Sequence, residues 1–206
     1  RIAIPIWNNR ISPVFDDSYY KERSIYWESH ASDERKQLWE ANMKRLNNKD
    51  LKNYSPGEAR VLTYMANGPK RCYDARYDTS WLFKGVTVNM SEGIISFIKS
   101  YYKYDITNNL QNVSMPVLLV VGLYDFNNPH YLWDAYKSKF ASLEYHLFKK
   151  SGHHPMLEES DHFNKVLIDF FAIQGMLAYV VKLDLMILRR TVMITIKKAK
   201  LDSGGF

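Results

Sequence analysis

Cysteine is the scarcest reactive residue in this chain, with Cys72 the only one among 206 residues. A single thiol closes no internal disulfide and forms no CxxC metal pattern, which excludes a disulfide-built scaffold and makes the cytoplasm the expected location. Long apolar runs are also lacking: the longest, near the C-terminus, is interrupted by Lys182 and Asp184 and falls short of the roughly 18 clean residues a membrane helix needs. The opening Arg1-Ile2-Ala3-Ile4-Pro5-Ile6 turns polar too soon for a signal peptide. Acidic residues are outnumbered, 22 against 28 Lys and Arg. That excess is local, because between Lys182 and Lys200 six basic residues face one acid, Asp184, and carry five of the six net positive charges. A basic terminal stretch reads as a solvated edge, so neither nucleic acid nor a membrane is expected as a partner.

What is present is ordinary for a globular chain: 46% hydrophobic and 24% charged residues, enough for one sizeable core and unlike a disordered segment. Four segments follow from the patterning. Residues 1–18 read as a strand, Ile2 to Ile6, and a second extended piece near Val14-Phe15. Residues 19–112 are rich in aromatic and charged residues and read as a helical cap. Ser32-Asp33-Glu34 and Ser55-Pro56-Gly57-Glu58 mark helix starts, and Asn89 to Tyr102 places Met90, Ile94, Phe97, Ile98 and Tyr101 at helical spacing. Residues 113–172 alternate strand and helix: Val117 to Val121, Pro129 to Phe140, Leu143 to Phe148, Asp161 to Phe171. The unbroken apolar run Val117 to Val121 suits a strand buried on both faces of a parallel sheet, so the class is α/β. Residues 173–206 form a basic extension with strand-like pieces at Tyr179 to Leu188 and Thr191 to Ile196.

Two residues stand where acid–base chemistry needs them. In nucleophilic hydrolysis a histidine takes the proton of the nucleophile, and a carboxylate fixes its tautomer and stabilises its charged form. Asp125 follows the first strand of the 113–172 segment by Gly122-Leu123-Tyr124, and His153 follows the second by Lys149-Lys150-Ser151-Gly152. Both lie on turns at carboxyl ends of strands, the edge at which α/β sheets gather their sites. Alternatives stand beside this: Asp125 as a turn former, and His154 as a supporting or solvent-facing neighbour. His30, His130, His146 and His162 lack metal-ligand spacing. Glu158 and Glu159 are expected to begin the last helix, and Tyr64, Tyr73, Tyr77, Trp81, Tyr101 and Tyr102 to fill the core of the cap.

From Tyr26 to Phe170, with Tyr131-Leu132-Trp133-Asp134-Ala135-Tyr136-Lys137, Tyr145-His146-Leu147-Phe148 and Ser151-Gly152-His153-His154-Pro155-Met156-Leu157-Glu158-Glu159 as its markers, the chain resembles the C-terminal half of proline iminopeptidase-type α/β-hydrolases. The resemblance implies an incomplete α/β-hydrolase fold with a helical cap and only the last strands of the parallel sheet. It also implies Asp125 as acid, His153 as base, no metal or organic cofactor, and a peptide or a small amide or ester as substrate. Separately, Arg1 to Asp16 resembles the start of the dinitrogenase iron-molybdenum cofactor biosynthesis family, which implies a metal-cluster carrier as one alternative function. A non-catalytic peptide or small-molecule binding module is another.

The third arm is absent. A nucleophile elbow is G-x-S-x-G because its sharp turn tolerates no side chain at the flanking positions. The residues two places after the glycines are Ala59, Lys70, Thr87, Ile95, Tyr124, His154, Leu177 and Phe206, and none is serine. Cys72 lies between Arg71 and Tyr73 inside the cap and is no substitute. The expected function is therefore a hydrolase-like protein that is inactive for want of a nucleophile. Its unpaired strand edges are open to self-association unless the strand-like pieces at Ile2 to Ile6 and Tyr179 to Ile196 cover them.

Overall fold

A computed structural model of the chain describes residues 4–7, 17–101 and 107–173. The extended piece expected near Val14-Phe15, the strand-like pieces beyond Tyr179, and most of the segment that carries the dinitrogenase-type resemblance lie outside the described residues. The described residues fall into two units, divided between Ser160 and Asp161.

Four longer helices, a short helical turn near its end and a sheet carry the described part of the first unit. Helix α1 (Asp17–His30) buries Tyr19, Tyr26 and Trp27, positions seven and eight apart that fall on one helical face. Helix α2 (Asp33–Asn47) starts where the sequence places it, with the Ser32 side chain accepting from the Arg35 amide at 3.3 Å. Acidic Asp33 and Glu34 at one end and basic Lys44 and Arg45 at the other complement the helix dipole. Helix α3 (Pro56–Ala66) opens on a complete capping box: the Glu58 amide donates to Ser55 Oγ at 3.3 Å and the Ser55 amide to Glu58 Oε2 at 2.8 Å. Helix α4 (Glu92–Tyr101) forms over the expected apolar pattern, and two residues of that pattern face water: Phe97 is 68% exposed and Ile94 is exposed as well.

The sheet is parallel, in the order β1 (Ile4–Trp7), β2 (Val117–Gly122), β3 (Leu143–Phe148). Ile4 pairs with Val117 and Trp7 with Val120 on one side, Val117 with Leu143 and Gly122 with Phe148 on the other. Every residue of β2 is buried, as its unbroken apolar run requires of a central parallel strand. Val117, Leu119 and Val121 pack with Leu110, Trp133 and Phe140 on one face. The N-terminal strand thus covers one edge of β2; the outer edge of β3 has no strand partner among the described residues.

Two expectations are corrected. Pro129 to Phe140 is no α-helix but two 3-10 turns, His130–Trp133 and Lys137–Lys139, held by bonds three residues apart such as Leu132 to Pro129 and Asp134 to Tyr131. Buried Trp133 and Phe140 anchor this crossover to the sheet, and those anchors override a helical preference that is weak by nature. Tyr73, Tyr77 and Trp81 are exposed rather than core, because their segment runs as turns and a 3-10 helix on the surface of the cap.

In the second unit, helix α6 (Ser160–Ile173) buries Phe163, Val166 and Phe170 on one side. It starts after Glu158 and Glu159, which instead close a separate short turn, α5 (Pro155–Glu158). Their carboxylates are engaged elsewhere, as described below.

Leu119→Ala, at the centre of the buried strand, is expected to cost about 2–5 kcal/mol by chemical denaturation. Phe97→Ala should fall within about 0.5 kcal/mol of the parent chain, since its side chain is largely solvated already.

Candidate active site

β2 and β3 run parallel and in register, so the turns that leave them emerge side by side. That closeness depends on two glycines: a Cβ at Gly122 would collide with the backbone of Ser151 and Gly152, and one at Gly152 would collide with the Arg71 carbonyl. Three stretches of backbone are therefore stacked in contact, and amides join them. Leu123 donates to the Phe148 carbonyl at 2.9 Å, Tyr124 to Ser151 at 2.9 Å, Phe126 to Lys70 at 3.1 Å and His153 to Arg71 at 2.5 Å.

Within this frame Asp125 is 1% exposed and both of its oxygens are occupied. Oδ1 accepts from the Asn127 and Asn128 amides, each at 3.0 Å. Oδ2 lies 2.6 Å from His153 Nδ1 and 3.3 Å from Asn128 Nδ2. Asp125 is thus both things the sequence allowed, a turn former through one oxygen and the partner of His153 through the other. Burial alone pushes its carboxyl up; the neighbouring His153 and the hydrogen bonds from His153 and Asn128 outweigh burial and hold it below the ordinary carboxylate range. An ionised carboxylate only accepts, so the proton between the pair sits on Nδ1, and Nε2 is left as the basic nitrogen.

Side chains far apart in sequence fix the histidine turn. Glu158 accepts from the Gly152 amide at 2.8 Å and the Tyr73 amide at 2.5 Å, and Glu159 from the Ser151 hydroxyl at 2.7 Å and the Lys150 amide at 2.9 Å. Arg35, buried on α2, donates to the carbonyls of Pro69, Cys72 and Tyr73 at 2.7, 2.8 and 2.5 Å. It thereby holds the strip whose Arg71 carbonyl takes the His153 amide. Helix α1 closes over the acid turn through Tyr26, which donates to the Leu123 carbonyl at 2.7 Å, and Tyr19, whose hydroxyl lies 2.6 Å from the Asn127 carbonyl.

The remaining candidates are placed as follows. His154 is buried rather than solvent-facing, with Nε2 bonded to the Tyr64 hydroxyl. Burial first, and the neighbouring His153 second, lower its pKa to about 4. Cys72 is buried and its thiol is pushed up to about 12 by that burial, which makes it a poor nucleophile. His146 pairs with Glu144 at 2.6 Å within β3. Among the described residues no group of three or more His, Cys, Asp or Glu is gathered in a way that could hold a metal ion, and no helix is long and apolar enough to cross a membrane. No serine hydroxyl engages His153 among them either. Arg35, Arg71, Asn128 and Tyr64 were not legible as site residues. Only Asn128 carries a local signal, as the third residue of an Asp-initiated turn.

No protein-family model matches the chain. Over 146 residues it is 32% identical to the AB hydrolase superfamily protein YclE of Bacillus subtilis (strain 168), a match that covers 70% of this chain and 51% of that protein. The chain therefore spans about half the length of this curated relative. Similar solved structures include MGS-M2, an α/β hydrolase enzyme from a Medee basin deep-sea metagenome library (18% identity, 69% of this chain and 52% of that one, TM-score 0.45). Another is a proline iminopeptidase of Mycobacterium smegmatis (17% identity, 76% and 55%, TM-score 0.42). The chain is an α/β-hydrolase-like protein with an incomplete α/β-hydrolase fold.

His154 supplies a pH test. Its folded pKa of about 4 lies below the ordinary histidine value of 6.5, so between those values the unfolded chain binds the extra proton. The contribution is complete above about 6.5 and is lost as pH falls toward about 4. Thermal denaturation across that window should show a falling midpoint, and His154→Gln should flatten the slope.

Proposed function

We propose that Asp125 and His153 are the acid and base of a serine-hydrolase site of the proline iminopeptidase type, and that these 206 residues alone hold a ligand beside His153 without turning it over. The observation that carries this reading is the 2.6 Å contact between His153 Nδ1 and a carboxylate withdrawn from water, which leaves Nε2 free to take a proton. Assembled with a nucleophile, the pair would support hydrolysis of an amide or ester: Nε2 accepts the nucleophile's proton as the acyl bond forms, then returns it to the leaving group. Asp125 stabilises the imidazolium in between. In these residues the step has no donor, because none of the nine glycines is followed by serine at the elbow spacing.

The binding-module reading describes the same site without chemistry. It is favoured by the cavity of about 220 Å3 that His153 lines and by the absence of the elbow.

A fluorophosphonate probe, which reacts with activated serines, should leave the purified chain unlabelled. Stoichiometric labelling of one serine, lost in His153→Ala, would show that an unrecognised nucleophile completes the site.

A further inference from the structure

Two polar nitrogens are buried without a hydrogen-bond partner close to the acid–base pair: Arg71 Nε and Asn127 Nδ2. Both residues line the cavity of about 220 Å3 that reaches His153. Arg23 and Arg60 also line it, and no Asp or Glu does. The Arg71 guanidinium lies over the Tyr64 ring, 4.2 Å from its centroid. Arg23 donates to Asn127 Oδ1 at 2.8 Å and lies over the Tyr19 and Tyr20 rings. These contacts fix the guanidinium heads without neutralising them, and among the described residues neither Arg23 nor Arg71 is in an ion pair. The Asp125 carboxylate is spent on His153 and on the amides of its own turn.

Fixed guanidiniums in a recess without a carboxylate partner carry a desolvation cost that an incoming anion offsets. A second cavity, of about 330 Å3, shares Arg60, Arg71 and His153 with the first and is otherwise walled by the apolar side chains of Val61, Leu82, Phe83 and Val88 together with Tyr64 and His154, which are bonded to each other. His153 and Arg71 therefore stand at the junction of a basic arm and an apolar arm.

We infer that this cleft binds a small organic carboxylate, its acid group between Arg23 and Arg71 and its apolar part against Phe83 and Val88. The inference rests on the reading of the His153 cleft as the ligand site and departs from the proline iminopeptidase resemblance in the sign of charge. Three guanidiniums oppose the ammonium end of a peptide. A monoanion is favoured over a phosphate dianion because the charge of Asp125 lies directly behind His153.

Titration calorimetry with four probes of similar shape tests it: 4-phenylbutyrate, 4-phenylbutan-1-ol, 4-phenylbutylammonium and 3-phenylpropyl phosphate. The carboxylate should bind about tenfold or more tightly than the alcohol, and the ammonium most weakly of all. That advantage should weaken with added salt and shrink about tenfold in Arg71→Gln and in Arg23→Gln, with the affinity for the alcohol unchanged. The His153 ring resonances should move on addition of the carboxylate. Arg23→Gln keeps the test decisive if loss of the Tyr64 stack unfolds Arg71→Gln. Equal or tighter binding of the ammonium, tighter binding of the phosphate, or an acid preference that survives in both variants would overturn the assignment. No probe depends on a nucleophile, so serine labelling with intact acid preference would overturn only the inactive reading, and lost preference without labelling only this inference.

Discussion

A carboxylate taken wholly out of water must be compensated, and the compensation of Asp125 organises everything around it. Desolvating such an ion costs several kcal/mol, while hydrogen bonds to a charged group return about 1.5–3 kcal/mol each. Asp125 collects its share from two backbone amides, the Asn128 side chain and His153. The amides require the turn after β2, and the histidine requires the turn after β3 to lie directly against it. That approach in turn excludes any side chain at Gly122 and Gly152. Removing one contributor strands the charge, which explains why remote residues such as Arg35 and Glu158 are recruited to hold backbone rather than ligand.

The parts of this arrangement governed by local rules were legible in the sequence. Ser32 and Ser55 cap helices because the cap uses neighbours along the chain, and β2 reads as a central parallel strand because its apolar run has no polar break. Asp125 and His153 are legible because strand ends announce where side chains can converge. Arg71 and Arg35 were not, since their roles arise through carbonyls and rings brought close only by folding. The crossover after β2 was misread for the same reason: Trp133 and Phe140 are held by the sheet, and tertiary anchoring decides between α and 3-10 geometry. Glu158 and Glu159 carry the charge suited to a helix start, yet unpaired amides of the histidine turn claim them first.

The Asp125–His153 pair and the basic recess constrain each other. Asp125 leaves little room for further negative charge behind His153, while the arginines in front invite one. Both signs meet at a single residue, since His153 is bonded to Asp125 and lines the cavities that Arg23, Arg60 and Arg71 line. Its Nδ1 faces the buried carboxylate, and the cavity it lines is basic. The same ring then serves chemistry, if a nucleophile is supplied, and ligand placement if none is.

The proton on His153 Nδ1 is the point on which this account turns. Long-range nitrogen–proton NMR on ring-labelled protein at neutral pH reads it directly. The account predicts a proton on Nδ1, seen as a far-downfield exchangeable resonance that disappears in Asp125→Ala. A ring protonated at Nε2 alone, or a downfield proton indifferent to Asp125, would contradict it.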